Sequence, residues 1–557
     1  MDAAQDNLAQ ARAHFLAALS QQEAEDWISA EQSLREAMRL APGRESILVN
    51  LAGVLVAGQR WVEALSLCEQ VCAENPASAE GWLNAGLCLQ GLGRVDEALT
   101  AFGHSLTARP DNPAAMLPQA RIHLLAGRHV EALAWAERVC QLDPSSATGW
   151  RVQGQVLSGM RRFDEALLAH RKALQQAPDW LDALLGAANA ALDAGLSEEA
   201  LPYLERARGL APDSHEICHN LGNALAACGR WADAVSAYDR ALVLRPGTAL
   251  SVWNRALARL ALGDYAGGFS DFEARWQSGL MCPHNVPGPL WQGESLEGKR
   301  LLVHAEQGFG DVLMYARFVR ELARQGVRVQ FAVHAALKPL LACLPGVEVV
   351  TGRERFAAYD YQCPVMSLPH ALRVTLASLP ARVPYLEVPL PYRVKWQARL
   401  GAASRQRIGL VFSGSDNGPY AMRAIPLAQL QALGELPAQF FVLQKDVGIE
   451  DRASWRNMPW LNDLGAELGD FADTAAAIEQ LDLVISVDSA VLHLAGALGK
   501  PVWALLAYTP DWRWQGGDRD SPWYPSARLF RQAARNDWAG LVRERLLPAL
   551  MDHLDTK

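Results

Sequence analysis

Three stretches in the carboxyl-terminal half carry residue types that could do chemistry. The first is Glu306-Gln307-Gly308-Phe309-Gly310-Asp311, where the apolar run 301–305 gives way to the helical pattern 312–324. Gly308 and Gly310 permit a tight strand-to-helix turn and a close backbone approach. Asp311 falls near the helix N-terminus and faces a cleft, although a first-turn aspartate also simply favours the helix dipole. The second stretch is Asp488-Ser489-Ala490-Val491-Leu492-His493, which follows the apolar run 483–487. Ser489 and Ala490 open a helix whose unpaired N–H groups suit a diphosphate. His493 lies one turn further on, within reach of the same ligand, in a place where a histidine can equally belong to the core. The third is Phe412-Ser413-Gly414-Ser415, another glycine-containing strand exit, followed by Arg423 and by Gln444-Lys445 at the end of the next apolar run. Arg423 and Lys445 are the natural cations for a departing diphosphate, and each also fits a solvated surface charge.

These motifs need elements to hold them. Short β-rich runs (301–305, 328–333, 347–350, 408–413, 439–443, 483–487 and 502–506) alternate with helical stretches. Such alternation predicts parallel sheets covered by helices. A proline-rich stretch, 383–391, separates two sets, giving two Rossmann-like lobes over 281–390 and 391–557. Ligands of such folds sit at the carboxyl ends of the strands, here in the cleft between the lobes. Asp518-Arg519-Asp520 has the spacing of a metal-binding pair but lies in a Trp/Pro-rich loop, so no metal is assigned. Trp512, Trp514, Trp523 and Tyr524 can stack on a base or sugar, or pack a core.

The amino-terminal half is periodic. Pro42, Pro76, Pro110, Pro144, Pro178, Pro212 and Pro246 recur every 34 residues. A small residue keeps the same register (Ala18, Ala52, Gly86, Ala120, Gly154, Ala188, Gly222, Ala256), as does an alanine at 30, 64, 98, 132, 166, 200 and 234. Small residues let two antiparallel helices approach, and proline ends the second of them. One hairpin cannot bury its apolar face alone, so the units stack. Residues 1–280 therefore form an α-solenoid of seven full hairpins and a degenerate eighth, in which Gly268 and Leu280 replace the expected alanine and proline.

This pattern closely resembles the tetratricopeptide repeat family, which implies a superhelix whose groove binds a peptide or protein. His219-Asn220-Leu221-Gly222-Asn223 is similar to the repeats of O-linked N-acetylglucosamine transferases. In those repeats, groove asparagines hold an extended substrate backbone. The matching positions here are Asn50, Asn84, Asn220 and Asn254, and Pro118, Val152 and Gly186 interrupt the series. An amide both donates and accepts, which allows sequence-tolerant peptide binding.

The second half resembles the glycosyltransferase family that contains the lipopolysaccharide heptosyltransferases, in the branch fused to tetratricopeptide repeats. The Gly-x-Gly-Asp loop, the Ser-Gly-Ser exit, the Asp-Ser-Ala-x-x-His element and the tail from Asp511 to Pro525 match in order. The resemblance implies a GT-B fold and a metal-independent, inverting transfer from a nucleotide-diphosphate sugar. It assigns the general base to Asp311 and the phosphate loop to Asp488, Ser489, Ala490 and His493. Position 490 is alanine where the family favours glycine, and position 423 is arginine where it favours lysine. No cofactor is expected beyond the nucleotide sugar, which is a substrate.

Bulk properties narrow the setting. The 557 residues are 50% hydrophobic and 20% charged, enough for several packed cores. A net charge of -9 argues against nucleic acid as the partner. No apolar run is long enough to span a bilayer, and the first fifteen residues lack a basic-then-apolar leader. Nine cysteines without a CxxC pair suit a reducing cytoplasm; Cys68 and Cys72, one turn apart, read as small apolar residues. The expected activity is glycosylation of Ser or Thr on a protein held by the repeats, a flagellin-like chain being the acceptor the resemblance suggests. The alternatives are a cell-envelope glycan or lipid acceptor, and a scaffold with an inactive transferase half.

Overall fold

The computed structural model describes residues 2–279, 286–306, 308–352, 354, 356–414, 423–515 and 520–555. Among the described residues, sixteen α-helices and one short 3-10 helix precede the first strand. No helix among the described residues is long and apolar enough to cross a membrane. The chain forms two compact units, Met1–Pro212 and Asp213–Lys557.

The first unit is made of helical hairpins. Their second helices, such as Trp61–Glu74 and Val95–Ala108, stop two residues before the periodic proline. The recurring glycines make room for rings. A Cβ on Gly86 would lie 2.6 Å from Phe102, and one on Gly154 or Gly186 would lie 2.6 or 2.4 Å from His170. Each ring sits in the second helix of its hairpin, at one shared register. His170 is 1% exposed, and burial pushes its pKa down to about 4.

The turn between the two helices shows a period that composition alone conceals. A left-handed residue recurs every 34 positions: Glu25, Gln59, Gly93, Gly127 and Arg161, then Gly195. The chain needs this conformation to reverse direction, whether or not a glycine supplies it.

The second unit holds the last two hairpins and both sheets. Its helices that bear on function are α1 (His215–Ala227), α2 (Trp231–Leu244), α3 (Ala249–Ala261), α4 (Tyr265–Phe272), α5 (Phe309–Arg324) and α6 (Ala490–Ala497). Ten strands among the described residues form two parallel sheets. The first contains β1 (Arg300–His304), β2 (Arg328–Val333), β3 (Val347–Thr351) and β4 (Tyr361–Pro364) in the order β3-β2-β1-β4. The second contains β5 (Arg407–Val411), β6 (Gln439–Val442), β7 (Leu461–Asp463), β8 (Leu483–Val487), β9 (Val502–Leu506) and β10 (Ala527–Arg531) in the order β10-β9-β8-β5-β6-β7. The strands β4, β7 and β10 were not evident in the sequence. β4 ends on a proline, β7 is three residues long, and β10 carries Arg528 and Arg531.

The eighth hairpin is shortened, since α4 has only eight residues. Trp253, Leu260, Tyr265, Phe269 and Phe272 belong to the same buried core as both lobes. Arg275, just past α4, is fully buried. It donates to Glu306 (3.0 and 3.2 Å), Glu273 (2.7 Å) and Ser367 (2.6 Å), and its guanidinium lies 4.3 Å from the Trp276 ring. Glu306 begins the glycine loop, and burial raises its pKa to about 7 against the pull of Arg275.

Two stability effects follow. Replacing Arg161 by Gly relieves a left-handed non-glycine, at about 1–2 kcal/mol per residue, and should raise the thermal midpoint; Gly93→Ala should lower it. His170 is neutral when folded and protonatable when unfolded, so its contribution is intact above pH 6.5 and is lost as pH falls toward 4. The loss is on the order of 3 kcal/mol. His170→Phe, which copies the Phe102 contact, should shrink the drop in midpoint between pH 7.5 and 5.

Candidate functional site

Two helix starts meet at the cleft. Gly308 N-caps α5 with φ -60°, and Asp311 lies in the first turn. Ser489 N-caps α6: its Oγ accepts from the Leu492 N–H (3.4 Å) and shares a hydrogen bond with Ser486 Oγ (2.9 Å). Neither Gly308 nor Gly310 is left-handed. Gly310 is required by proximity, because a Cβ there would lie 2.9 Å from His493 Cδ2 and 3.5 Å from Ala490 Cα. The glycine thus lets α5 of one lobe approach α6 of the other.

A chain of alternating charges runs across this junction. Arg513 donates to Asp311 Oδ1 (2.5 Å) and to Asp511 Oδ1 (2.7 Å). Arg423 pairs with Asp511 (3.3 Å) and Asp488 (2.8 Å). His493 Nε2 is 3.8 Å from Asp488, while its Nδ1 shares a hydrogen bond with the Tyr524 hydroxyl (3.0 Å) and its ring stacks on Trp514. The cluster therefore joins Asp311, Asp488 and Asp511 to Arg423 and Arg513, an excess of one negative charge among these described residues.

Burial and the guanidiniums oppose one another at the carboxyls. Burial pushes the carboxyls of Asp311 and Asp488 above the usual range, outweighing Arg513 and Arg423 respectively. Burial pushes Asp511 in the same direction, but Arg513 and Arg423 together hold it below. Burial, reinforced by Arg513, lowers His493 to about 3, so it stays neutral at physiological pH.

The structure thus gathers Gly308, Gly310, Asp311, Arg423, Asp488, Ser489, Ala490 and His493 around one junction. It adds Asp511 and Arg513, which the sequence placed in the matching Trp-rich tail without a role. Other nominated residues are engaged differently. Gln444 Oε1 accepts from the Phe412 and Ser413 N–H groups (3.0 Å each), and its amide donates to Ser413 Oγ (2.5 Å) and Asp446 O (3.0 Å). Ser413 and Gln444 are therefore a clamp between the ends of β5 and β6. Lys445 is exposed and donates to Gly469 O (3.2 Å), outside the charge chain. Ser415 lies outside the described residues.

The asparagines also divide. In the first unit, Asn50 bonds Ser46 O of its own helix (2.8 Å) and Asn84 bonds Val49 O of the preceding hairpin (3.1 Å). In the second unit, Asn220 is half-buried on α1. Asn254 donates to Asn223 Oδ1 (2.9 Å), which also accepts from the Tyr238 hydroxyl (2.8 Å). Asn223, not singled out as a binding residue from the sequence, follows Asn220 by one helical turn.

Two cavities flank the charges. One of about 450 Å³ is lined by Asn223, Trp231 and Asn254 from the repeats and by Arg423, Asp511 and Arg513 from the cluster. Another, of about 310 Å³, lies at the carboxyl ends of β9 and β10 and also touches Arg423 and Asp511, together with Asp488. Arg423 and Asp511, with Pro510, form the shared wall.

Tetratricopeptide repeat models match residues 83–147, 151–215 and 191–260, and the glycosyltransferase family 9 (heptosyltransferase) model matches residues 464–549. Over 77% of its length the chain is 28% identical to Protein FlbA of Caulobacter vibrioides, covering 71% of that protein. Over 21% of its length it is 27% identical to a probable UDP-N-acetylglucosamine–peptide N-acetylglucosaminyltransferase, SPINDLY, of Petunia hybrida, covering 13% of that protein. Among solved structures, a tetratricopeptide repeat protein from Parabacteroides merdae aligns with TM-score 0.33 and 15% identity, over 45% of this chain and 99% of its own.

The charge count gives a test. Asp311→Asn removes the excess negative charge and a carboxyl whose folded pKa is raised, so that its ionisation opposes folding at neutral pH. The thermal midpoint should hold or rise. Arg513→Ala leaves Asp311 and Asp511 buried beside one remaining cation and should destabilise by about 3–5 kcal/mol. Calorimetry of both variants at pH 7 checks the contrast.

Proposed function

We propose that this chain, which carries tetratricopeptide repeats and a glycosyltransferase family 9 domain, moves a sugar from a nucleotide-diphosphate donor to a Ser or Thr hydroxyl of a protein. The observation that carries this reading is the larger cavity, whose walls are the last repeats on one side and Arg423, Asp511 and Arg513 on the other. A polypeptide lodged against Asn223 and Asn254 would present its hydroxyl to the charge chain. Asp311 is the base that takes the hydroxyl proton as the bond to the sugar forms. The diphosphate departs toward Arg423 and the first N–H groups of α6. Base and leaving group then act on opposite faces of the sugar, which inverts its anomeric carbon. Negative charge is met by guanidinium and amide dipoles rather than by a metal. A flagellin-like chain is the acceptor that the family resemblance favours.

One feature favours a second reading. Trp231, Trp253 and Trp512 line the same cavity, and indole faces would suit the rings of a glycan acceptor.

Intact-mass analysis of cellular proteins, with and without this chain, separates the two. A discrete mass increment on a protein is expected; an increment confined to envelope glycan would favour the second reading. Asp311→Asn should lower transfer by about 10²–10⁴-fold without weakening nucleotide binding. Full transfer by that variant would remove Asp311 as the base. Paired Asn223→Ala and Asn254→Ala changes should raise KM for the protein acceptor and spare kcat.

A further inference from the structure

The smaller cavity includes Arg423 and Asp488, which the sequence reading nominated for the donor, but its remaining lining has no role in that reading. Its volume of about 310 Å³ lies at the lower limit of ligand pockets, which run from about 300 to 1,000 Å³. That is room for a single ring rather than for a whole nucleotide sugar. Leu505, Leu506 and Pro510 give it apolar faces, and Thr509 and Gln532 give it hydrogen-bonding groups. The ionic groups at its inner end, Asp488, Asp511 and Arg423, are already paired with one another. This mixture of apolar wall, amide and hydroxyl matches a sugar ring, with its C–H faces and its hydroxyl edge.

Gln532 is the pointed feature. It is 5% exposed, and its Oε1 accepts from the Tyr508 N–H (3.1 Å), which fixes the orientation of the amide. Its Nε2 has no hydrogen-bond partner among the described residues. A buried donor without an acceptor is costly to keep, and a ligand oxygen would offset that cost.

The cavity also has a wall from the repeats. Ala227, the last residue of α1, lines it, and the Ala227 carbonyl accepts from Thr509 Oγ1 (2.7 Å) and Arg535 Nη2 (2.7 Å), both of which line it too.

We propose that this cavity seats the sugar ring of the donor, with Gln532 Nε2 donating to a ring substituent and the end of α1 closing one side. This rests on the donor reading above and adds to it that a repeat helix takes part in choosing the sugar. The anomeric carbon would face the shared wall of Arg423 and Asp511, between the first N–H groups of α6 and the acceptor cavity.

Isothermal titration of the full chain tests this, using UDP, ADP, GDP and CMP, each compared with a sugar conjugate of the same nucleotide. For the nucleotide that binds, its conjugate should bind about tenfold more tightly, the worth of one or two hydrogen bonds. Gln532→Leu should erase most of that increment and leave the bare nucleotide unchanged. Ala227→Leu, which fills the cavity from the repeat side, should do the same. The proposal is overturned if both variants keep the full increment, or if both weaken the bare nucleotide as much as its conjugate. Absence of binding by any nucleotide or conjugate defeats the donor reading itself, and this proposal with it.

Discussion

Gathering three carboxylates where water is scarce is unfavourable, and the arrangement of this site follows from how the chain tolerates it. Two guanidiniums are threaded between Asp311, Asp511 and Asp488, so each carboxylate has a cation and each cation has two carboxylates. The threading requires residues from both lobes to meet. It therefore fixes how closely α5 approaches α6, and Gly310 is the concession that approach demands. Burial, outweighing the pull of Arg513, leaves Asp311 more basic than an ordinary aspartate.

A second buried guanidinium organises the back of the site. Arg275 ties the end of the eighth hairpin to Glu306, which starts the loop that delivers Asp311, and to Ser367 beyond β4. A hydrophobic core alone would leave this joint free to slide. A planar fork held by two carboxylates and a hydroxyl gives it one geometry. The last hairpin is thus structural material of the transferase half as well as the end of the repeat series.

The repeat array was legible because its constraints are local: a proline two residues past each helix and a small residue opposite each ring. The seven other strands were legible for the same reason. β4, β7 and β10 were not, since a strand of three or four residues, or one with two arginines, earns its place only through its neighbours. The site was half legible. Glycine loops and helix starts announce themselves within ten residues, whereas Arg513 meets Asp311 across 202 positions. Gln444 shows the converse: an amide at a strand end can recognise a ligand or close a backbone gap, and only the fold reveals that it spans Phe412 and Ser413. The left-handed turn residue was hidden because Gln59 and Arg161 occupy a place that glycine would have advertised.

Among the described residues, those that line either cavity lie within Asp213–Lys557. The chain can therefore gain or lose whole 34-residue units upstream without altering a single side chain at either cavity. The number of such units can change by duplication while the lining of both cavities stays as it is.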